Sequence, residues 1–425
     1  MLLNRHIIVG ICGGIASYKA VELVSRLQQA GALVDVVMTE HAEEFVRPLT
    51  FSTMSHRPVY SDLWEPSGKA AETHIALAEQ AELLAVVPAT ANTIAKLAHG
   101  MADNMLTAIA LATRAPLLLA PAMYREMYTH PATQENLRLL RARGAVIVEP
   151  EVGRLASGAV GPGRLPETPV LLAAIRMTLG RNGDLAGRRV VVTAGGTQEP
   201  IDPVRYVGNR SSGKMGYALA EEARDRGAQV ILISGPVALE PPYGIDVRRV
   251  ETALQMRDAV QQAIADADAL VMSAAVADFR PATARAHKLK KESGGGGARE
   301  EEEFDEEGGL TLHLVRNPDI LGELAAQDQA GQTGRDQPEK SEKHLVRVGF
   351  AAETHNIEAY ARTKLISKRL DLLVANDVSR ADSGFGTDTN KVLIFHATGE
   401  KEDLPVMPKT GVAAAIWDRI VPLLH

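Results

Sequence analysis

The feature that most constrains the fold is an alternation of short apolar segments with helical patterns, which occurs twice along the chain. Apolar strands that alternate with helices predict parallel sheets covered by helices on both faces, so we expect an α/β protein with two doubly wound domains. In the first half the strand-like segments are 6–12, 33–39, 82–88, 116–123 and 145–150. In the second half they are 188–196, 229–236, 269–279, 345–352 and 371–377.

The boundary between the two halves of the sequence lies near residues 180–188, which combine glycine, charged residues and turn-forming residues. We therefore expect one domain over 1–184 and a second over 185–425. Within the second, residues 292–309 are rich in Gly and Glu, and residues 327–344 are nearly as polar. Such segments cannot bury a core, so both are predicted to be disordered surface insertions.

The composition of the chain indicates which classes of ligand it binds and in which cellular compartment it is located. A net charge of −7 gives no electrostatic reason to expect a nucleic-acid or anionic-membrane partner, and no apolar run reaches the roughly 18 residues of a membrane span. Cys12 is the single cysteine, which excludes intramolecular disulfides and Cys-rich metal sites. Residues 7–16 are interpreted as a strand and its loop rather than a signal peptide. These features favour small-molecule ligands and a cytoplasmic location.

Three features of the first half are candidates for a site. A glycine-rich turn at 10–14 suits a phosphate at a helix N-terminus, although a tight strand-to-helix turn explains it equally well. Residues 88–93 place two hydroxyls and an amide at the carboxyl end of a strand, where they bind a ligand or cap the next helix. His74, ahead of an apolar strand, is either structural or catalytic.

Together with the segments 95–106 and 121–128, these features resemble the flavin-dependent cysteine decarboxylases. The resemblance implies a flavodoxin-like domain, trimer-based assembly, FMN bound across a subunit interface, and oxidation of a cysteinyl thiol so that the carboxylate is lost. It implies that His74 is the active-site base. The residues that it places near the flavin are Gly13, Gly14, Ser17, Thr39, Thr90, Asn92 and Thr93.

The chain departs from this family at three positions. Tyr124 stands where the family has Asn, Tyr128 where it has Trp, and Ser157 where it has a proton-donating Cys in a glycine-rich flap. A serine hydroxyl is far less acidic than a thiol with a pKa of about 8.5. Either Tyr124 or a water then donates the final proton, which is the reading we favour, or the reaction stops after carbon dioxide leaves.

The second half carries a longer ordered set of motifs. Residues 208–214 fit the spacing G-x-x-x-x-G-K, but Met215 replaces the hydroxyl that would hold magnesium and no strand immediately precedes the loop, so a P-loop is disfavoured. The whole set resembles the phosphopantothenate–cysteine ligases, and with the first half it resembles the bifunctional bacterial coenzyme A enzymes. Its segments are 192–205, 209–216, 273–278, 287–291, 317–320, 349–354 and 375–377.

The resemblance implies a Rossmann-like ligase domain and a role for each motif. Lys288 supports acyl-cytidylate formation, Asn209 handles the cytidylate as cysteine attacks, and Asp278 accepts a ribose hydroxyl. The backbone of Ser273, Ala274 and Ala275 reads the cytosine edge. The remaining residues implied to line the nucleotide site are Pro318, Asp319, Ile320, Leu321, Phe350, Lys364 and Lys368. Solvated surface lysines are the plain alternative for the basic positions, and Lys364 and Lys368 are expected four apart on one helix.

The sequence thus predicts a bifunctional enzyme. Its second half would join 4′-phosphopantothenate to cysteine with CTP and Mg²⁺, with no magnesium ligands assigned, and its first half would decarboxylate the product to 4′-phosphopantetheine with FMN. A homo-oligomer with trimeric flavin domains and dimeric ligase domains is expected. The alternatives are a ligase whose first half is only an oligomerising scaffold, or a flavin-binding regulatory module. A nicotinamide dehydrogenase is disfavoured because G-x-G-x-x-G is missing.

Overall fold

The computed structural model describes residues 2–64, 73–289, 311–333, 344–353, 357–377 and 386–424. These residues form two compact units, Met1–Asn182 and Gly183–His425. The predicted insertion at 292–309 lies outside the described residues, as do residues 334–343 of the second predicted insertion. None of the helices in the described part of the chain is long and apolar enough to cross a membrane.

The first unit contains a six-stranded parallel sheet in the order β3-β2-β1-β4-β5-β6, followed by the antiparallel hairpin β7-β8. The order reverses between β1 and β4, which is the point where open α/β sheets bind ligands. The strands are β1 (His6–Ile11), β2 (Leu33–Met38), β3 (Val59–Tyr60), β4 (Leu83–Ala89), β5 (Leu117–Pro121), β6 (Val146–Ile147), β7 (Glu151–Arg154) and β8 (Val160–Arg164).

Helices cover this sheet because their apolar residues recur at helical spacing. The first helix buries Leu23, Val24 and Leu27 against the sheet, and every residue of β4 is buried. The predicted parallel α/β fold is confirmed in this unit. The helices are α1 (Ser17–Gln29), α2 (Glu40–Glu43), α3 (Pro48–Ser55), α4 (Thr73–Gln80), α5 (Ala91–His99), α6 (Met105–Ala112), α7 (Arg125–Thr129), α8 (Pro131–Ala142) and α9 (Thr168–Gly180).

The second unit contains an eight-stranded sheet in the order β13-β12-β9-β14-β17-β18-β20-β21. Its first six strands are parallel and reverse order between β9 and β14, whereas β20 and β21 are antiparallel and were not predicted. The strands of the sheet are β9 (Arg189–Ala194), β12 (Gln229–Ser234), β13 (Asp246–Arg249), β14 (Ala269–Met272), β17 (Val346–Glu353), β18 (Leu372–Asp377), β20 (Val392–His396) and β21 (Lys401–Asp403).

Three two-stranded ribbons accompany this sheet, pairing β10 with β11, β15 with β16, and β19 with β22. They are β10 (Gln198–Pro200), β11 (Tyr206–Gly208), β15 (Phe279–Pro281), β16 (Leu314–Arg316), β19 (Thr389–Asn390) and β22 (Met407–Pro408). The helices of the unit are α10 (Lys214–Asp225), α11 (Ala253–Ala263), α12 (Ile320–Thr333), α13 (Ile357–Ser367) and α14 (Lys409–Ile420), and a 3₁₀ turn spans Val421–Leu424.

The prediction that disorder begins at residue 327 is wrong, because α12 continues to Thr333. Asp328 holds this end of the helix through two hydrogen bonds from the Arg347 guanidinium, at 2.6 and 3.0 Å. Arg347 belongs to β17, so the polar C-terminal end of α12 is tied to the sheet by charge, whereas Ile320 and Leu324 near its start are buried in the core.

Candidate active sites

The first candidate site lies at the carboxyl ends of β1, β2 and β4. A Cβ placed on Gly13 would lie 2.5 Å from the Cβ of His41, and one placed on Gly14 would lie 3.9 Å from Cγ2 of Thr90. Residue 13 therefore has to be glycine for the turn after β1 to approach the segment that follows β2. Residues far apart in sequence thus meet at the point where the strand order reverses.

Hydroxyl groups shape this turn. Ser17 is buried, and its Oγ lies within hydrogen-bond distance of the carbonyl oxygens of Cys12 and Gly14, at 2.8 and 2.6 Å, so it closes the turn from inside. Thr90 precedes α5; its Oγ1 accepts a hydrogen bond from the Thr93 N–H at 3.4 Å and donates to the Thr93 hydroxyl at 3.2 Å. The capping interpretation of residues 88–93 is therefore correct for Thr90, at the same strand end that was predicted to bind a ligand.

The other predicted flavin-site residues differ in exposure. Thr39 is buried between β2 and α2, and its N–H donates to the Ile11 carbonyl at 3.0 Å, whereas Asn92 is exposed on the first turn of α5. Cys12 lies buried in the same turn. Burial raises the pKa of the Cys12 thiol, against smaller opposing effects of hydrogen bonds with Thr93 and Thr90.

His74 lies half-buried in the first turn of α4, next to residues 65–72, which are outside the described part of the chain. Among the described residues, no hydrogen bond or ion pair joins His74 to the glycine-rich turn or to Thr90. The structure therefore locates His74 within the first unit without linking it to the other predicted residues.

The segment that carries Tyr124 is bonded to the hairpin that carries Ser157. Tyr124 immediately precedes α7 and is 42% exposed, and Ser157 is exposed at the tip of β7-β8. The N–H of Met123 donates to the Gly163 carbonyl at 3.1 Å, and the Arg125 guanidinium donates to the Val160 carbonyl at 3.2 Å. The two departures from the decarboxylase pattern thus belong to one connected part of the fold.

The third departure from the family pattern, Tyr128, forms a hydrogen bond with a residue outside this hairpin. Its hydroxyl donates to a carboxylate oxygen of Glu149. Burial, followed by this interaction with Glu149, raises the pKa of Tyr128 to about 12. A phenol with that pKa is a poor proton donor near neutral pH, which leaves Tyr124 as the better placed of the two tyrosines.

The second candidate site is a cavity of about 620 Å³ in the second unit, next to the carboxyl ends of β14 and β18 and to the point where the strand order reverses. Such a volume is typical of a small-molecule site. All the predicted ligase residues except Lys288 line it. They are Asn209, Ser273, Ala274, Ala275, Asp278, Pro318, Asp319, Ile320, Leu321, Phe350, Lys364 and Lys368.

The loop after β14 is hydrogen-bonded to the end of β9 and to the loop that follows β9. The Ala274 N–H donates to the Thr193 hydroxyl at 3.1 Å, and the Ala275 N–H donates to the Gly195 carbonyl at 2.8 Å. The side-chain amide of Asn209 donates to the Val276 carbonyl at 3.0 Å. The N–H groups of residues 274 and 275 are thus paired, and the Ala275 carbonyl accepts from the Thr197 N–H at 3.3 Å, so recognition of a base by this loop would depend mainly on the carbonyl oxygens of residues 273 and 274.

Lys364 and Lys368 line the same cavity, although only Lys364 lies within a helix. The helix α13 ends at Ser367, so the prediction that both lysines are helical is wrong for Lys368. The Lys368 N–H nevertheless donates to the Lys364 carbonyl at 3.0 Å, which keeps the helical spacing of the two side chains. The Lys368 ammonium also forms an ion pair with Asp319 at 3.0 Å.

Lys288 is exposed and does not line the cavity, but its neighbour Leu289 is firmly anchored. The buried Asp202 carboxylate accepts from the Leu289 N–H at 3.2 Å, and the Arg205 guanidinium donates to the Leu289 carbonyl at 2.6 Å. Burial alone would raise the pKa of Asp202, but three backbone N–H groups and the Arg205 side chain lower it to about 2. The carboxylate is therefore ionised at neutral pH and holds the segment that carries Lys288.

Polar residues to which the sequence assigned no role also line the cavity, among them Lys214, Asn390 and Lys409. Lys214 and Lys409 are the first residues of α10 and α14, two helices that pack together through the Trp417 indole N–H and the Leu219 carbonyl, 2.9 Å apart. Lys214 lies in the segment 209–216 of the ligase resemblance, which assigned it no role, and Lys409 belongs to no motif. In the part of the chain that the structure describes, no cluster of three His, Cys, Asp or Glu side chains could hold a metal.

Comparison with known proteins agrees with this division of the chain. Residues 1–180 match the family model described as Flavoprotein, and residues 185–423 match the DNA/pantothenate metabolism flavoprotein C-terminal domain. The coenzyme A biosynthesis bifunctional protein CoaBC of Bacillus subtilis is 47% identical over 426 residues, covering 100% of this chain and 98% of that protein.

Two solved structures are also similar. The C-terminal domain of a coenzyme A biosynthesis bifunctional protein CoaBC is 37% identical, covering 57% of this chain and 98% of that one, with a TM-score of 0.43. The FMN-dependent cysteine decarboxylase SpaF is 30% identical, covering 42% of this chain and 97% of that one, with a TM-score of 0.37.

The two sheets and their sites define a two-domain enzyme that joins a flavoprotein decarboxylase domain to a ligase domain. The chain belongs to the family of the coenzyme A biosynthesis bifunctional proteins CoaBC. It is therefore a bifunctional enzyme of coenzyme A biosynthesis, and the alternatives in which the first half is only a scaffold or a regulatory module are not supported.

Proposed function

We propose that residues 185–425 condense 4′-phosphopantothenate with cysteine, using CTP, and that residues 1–184 decarboxylate the product to 4′-phosphopantetheine. The observation that carries this proposal is the 47% identity to a bifunctional CoaBC protein along the whole chain. The cavity of the second unit supports it, because that cavity gathers hydrogen-bonding backbone and several lysines in one place.

In the ligase reaction, the carboxylate of phosphopantothenate attacks the α-phosphorus of CTP and pyrophosphate leaves. The cysteine amine then attacks the acyl carbon of the cytidylate and CMP leaves. Lys288 neutralises charge that develops on the α-phosphate during the first step, and Asn209 positions the cytidylate during the second. Asp278 accepts a hydrogen bond from the ribose.

Cytosine is recognised mainly by the carbonyl oxygens of residues 273 and 274. The amine of cytosine donates hydrogen bonds, whereas uracil presents an oxygen at the same position. This assignment follows from the pairing of the Ala274 and Ala275 N–H groups within the protein. The enzyme should consequently use CTP in preference to UTP. Mg²⁺ enters with the triphosphate, as is usual for nucleotide substrates.

The turn at Gly13 and Gly14 is compatible with FMN, because Gly14 faces a region in which a Cβ would meet only Cγ2 of Thr90, at 3.9 Å, whereas Gly13 packs against His41. Ser17, Thr39, Thr90, Asn92 and Thr93 complete the predicted flavin site. FMN, when bound, would accept two electrons from the cysteinyl thiol and return them after carbon dioxide has left, so that the overall reaction is redox-neutral. His74 removes a proton from the substrate, and Tyr124 or a water returns one after carbon dioxide has left, since Ser157 is too weak an acid to do so.

The remaining features of the proposal concern assembly and location. The enzyme is a cytoplasmic homo-oligomer, built from trimers of flavin domains and dimers of ligase domains. Its partners are small-molecule substrates, and it has no nucleic-acid or membrane partner, which agrees with its net charge of −7. Light scattering of the purified protein measures the subunit number directly, and a monomer would contradict the assembly.

One assay tests both reactions. Purified protein is incubated with 4′-phosphopantothenate, cysteine, CTP and Mg²⁺, and the products are identified by mass. We expect repeated turnover to CMP, pyrophosphate and 4′-phosphopantetheine only when all the substrates are present. Release of pyrophosphate without 4′-phosphopantetheine would support the ligase and contradict the decarboxylase.

Two variants separate the steps of the ligase. Lys288→Gln should abolish acyl-cytidylate formation, and wild-type turnover in this variant would show that the role of Lys288 is wrong. Asn209→Asp should let the cytidylate form but slow its conversion to the amide. Loss of CTP binding in Asn209→Asp would contradict the role given to Asn209.

A further inference from the structure

The described part of the second unit contains a lysine that is buried at an unfavourable position. Lys409 is only 7% exposed and is the first residue of α14. A helix N-terminus carries a partial positive charge, which disfavours a cation there. The Lys409 ammonium donates to the Thr387 carbonyl, and its side chain lines the cavity.

A second lysine contributes to the same end of the cavity. Lys214 is the first residue of α10, and its ammonium donates to the Gly386 carbonyl at 3.0 Å and to Asp388 at 2.7 Å. Burial, and then the charge of Lys214, lower the pKa of Lys409, against a smaller opposing effect of Asp388. Asp388 offsets this charge weakly, because its side chain is 88% exposed and its interaction with Lys214 is screened by water.

The arrangement brings two positive charges to one end of the cavity, which suits an anion. If these lysines only held the loop at 386–388, neutral donors would form the same hydrogen bonds to carbonyl groups without repelling each other. Asn390 is 3% exposed and lines the cavity beside them, so a neutral donor is also present. Two ammonium groups, an amide and two helix N-termini are the groups that bind phosphate.

We propose that Lys214, Asn390 and Lys409 form a phosphate subsite of the ligase, distinct from the positions of Lys288, Lys364 and Lys368. This inference rests on the proposed function, since the phosphate belongs to a substrate of that reaction. Two phosphate groups are candidates: the β- and γ-phosphates of CTP, and the 4′-phosphate of phosphopantothenate. Both are phosphate groups, and either one would compete with the loop at 386–388 for the hydrogen bonds of the Lys214 ammonium or would share them.

The test compares Lys214→Gln and Lys409→Gln with a matched control, Lys391→Gln. Lys391 adjoins Asn390, does not line the cavity and pairs with Asp403 at 3.3 Å, and its side chain is 34% exposed, as is that of Lys214. Binding of CTP, CMP, 4′-phosphopantothenate and pantothenate to the full-length protein is measured by calorimetry, and steady-state constants are measured for all three substrates.

We expect each cavity variant to bind one phosphate-bearing ligand about ten- to a hundredfold more weakly, the range lost with one charge-assisted hydrogen bond. Weaker binding of CTP together with unchanged binding of CMP assigns the subsite to the triphosphate. Weaker binding of 4′-phosphopantothenate with unchanged pantothenate assigns it to the 4′-phosphate. The KM for cysteine and all constants of Lys391→Gln should remain at wild-type values.

Wild-type affinities in Lys214→Gln overturn the subsite, and so does an equal loss in Lys391→Gln. If Lys409→Gln fails to fold, Lys214→Gln decides alone, because its partly exposed side chain can be replaced without opening the core. Failure of the wild-type protein to release CMP and pyrophosphate would instead overturn the proposed ligase function. The two failures are therefore distinguishable.

Discussion

Replacing Gly163 by Ala should separate the hairpin β7-β8 from the segment that carries Tyr124. Gly163 has a φ of +140°, and a Cβ placed on it would lie 2.1 Å from the Met123 carbonyl oxygen. A carbon and an oxygen approach no closer than about 3.3 Å in ordinary contacts, so the hairpin would have to move by about 1 Å. Displacements of that size near reacting groups cost up to about a hundredfold in rate.

The matched control is Gly158→Ala in the same hairpin. Gly158 has a φ of +87°, but a Cβ there would meet nothing within 4 Å. Both variants bear the backbone strain of a side chain at positive φ, about 1–3 kcal/mol, whereas only Gly163→Ala adds the collision. Both should therefore lose several degrees in Tm, and Gly163→Ala should lose more.

The assay is FMN-dependent decarboxylation of 4′-phosphopantothenoylcysteine, followed by mass, with bound FMN measured from its absorbance. We expect Gly163→Ala to retain FMN and lose at least tenfold in decarboxylation, while Gly158→Ala stays within about threefold of wild type. Ligase turnover should be unchanged in both variants. Wild-type decarboxylation in a folded Gly163→Ala would refute the argument that the hairpin must contact the Met123 carbonyl.

Three further predictions concern other parts of the chain. Asp202→Asn should slow acyl-cytidylate formation without weakening CTP binding, because Asp202 no longer anchors the segment beside Lys288 as firmly. The control is Asp268→Asn, which changes a buried carboxylate paired with an arginine elsewhere in the unit. An equal effect of Asp268→Asn would indicate general destabilisation. Tyr124→Phe should accumulate a product two mass units lighter than 4′-phosphopantetheine, and normal product would assign the proton to water. Deletion of residues 294–307 should change Tm by no more than about 2 °C, as their composition predicts, and a larger drop would show that they pack.

The sequence predicted the parallel sheets because each central strand is apolar at nearly every position and is followed by a helix. It did not predict β20 and β21, since these short antiparallel strands have no helix between them, and Val392–His396 has no helical pattern directly after it to mark a repeat. The end of α12 was also missed, because the ion pair between Asp328 and Arg347 joins residues 19 positions apart through a polar sequence.

The candidate sites likewise contain residues that local sequence motifs predicted and residues that only the folded chain brings together. Residues within ordered motifs, such as those at 273–278, were predicted to share a site, and they line one cavity. Lys409 was missed because it stands alone in sequence and becomes a site residue only when α14 packs on α10. The contact of Gly163 with Met123 was missed for a related reason, since only the folded hairpin brings residues 40 positions apart together.

The burial of Cys12 has a practical consequence for studying the reaction. The chain contains no other cysteine, and the raised pKa of this thiol keeps it protonated and weakly nucleophilic at neutral pH. A thiol-specific reagent added to the folded enzyme should consequently titrate cysteine, the condensation product and the decarboxylated product, and not the protein. Substrate sulfur can therefore be counted in the presence of stoichiometric enzyme, so single-turnover experiments need no correction for protein thiol.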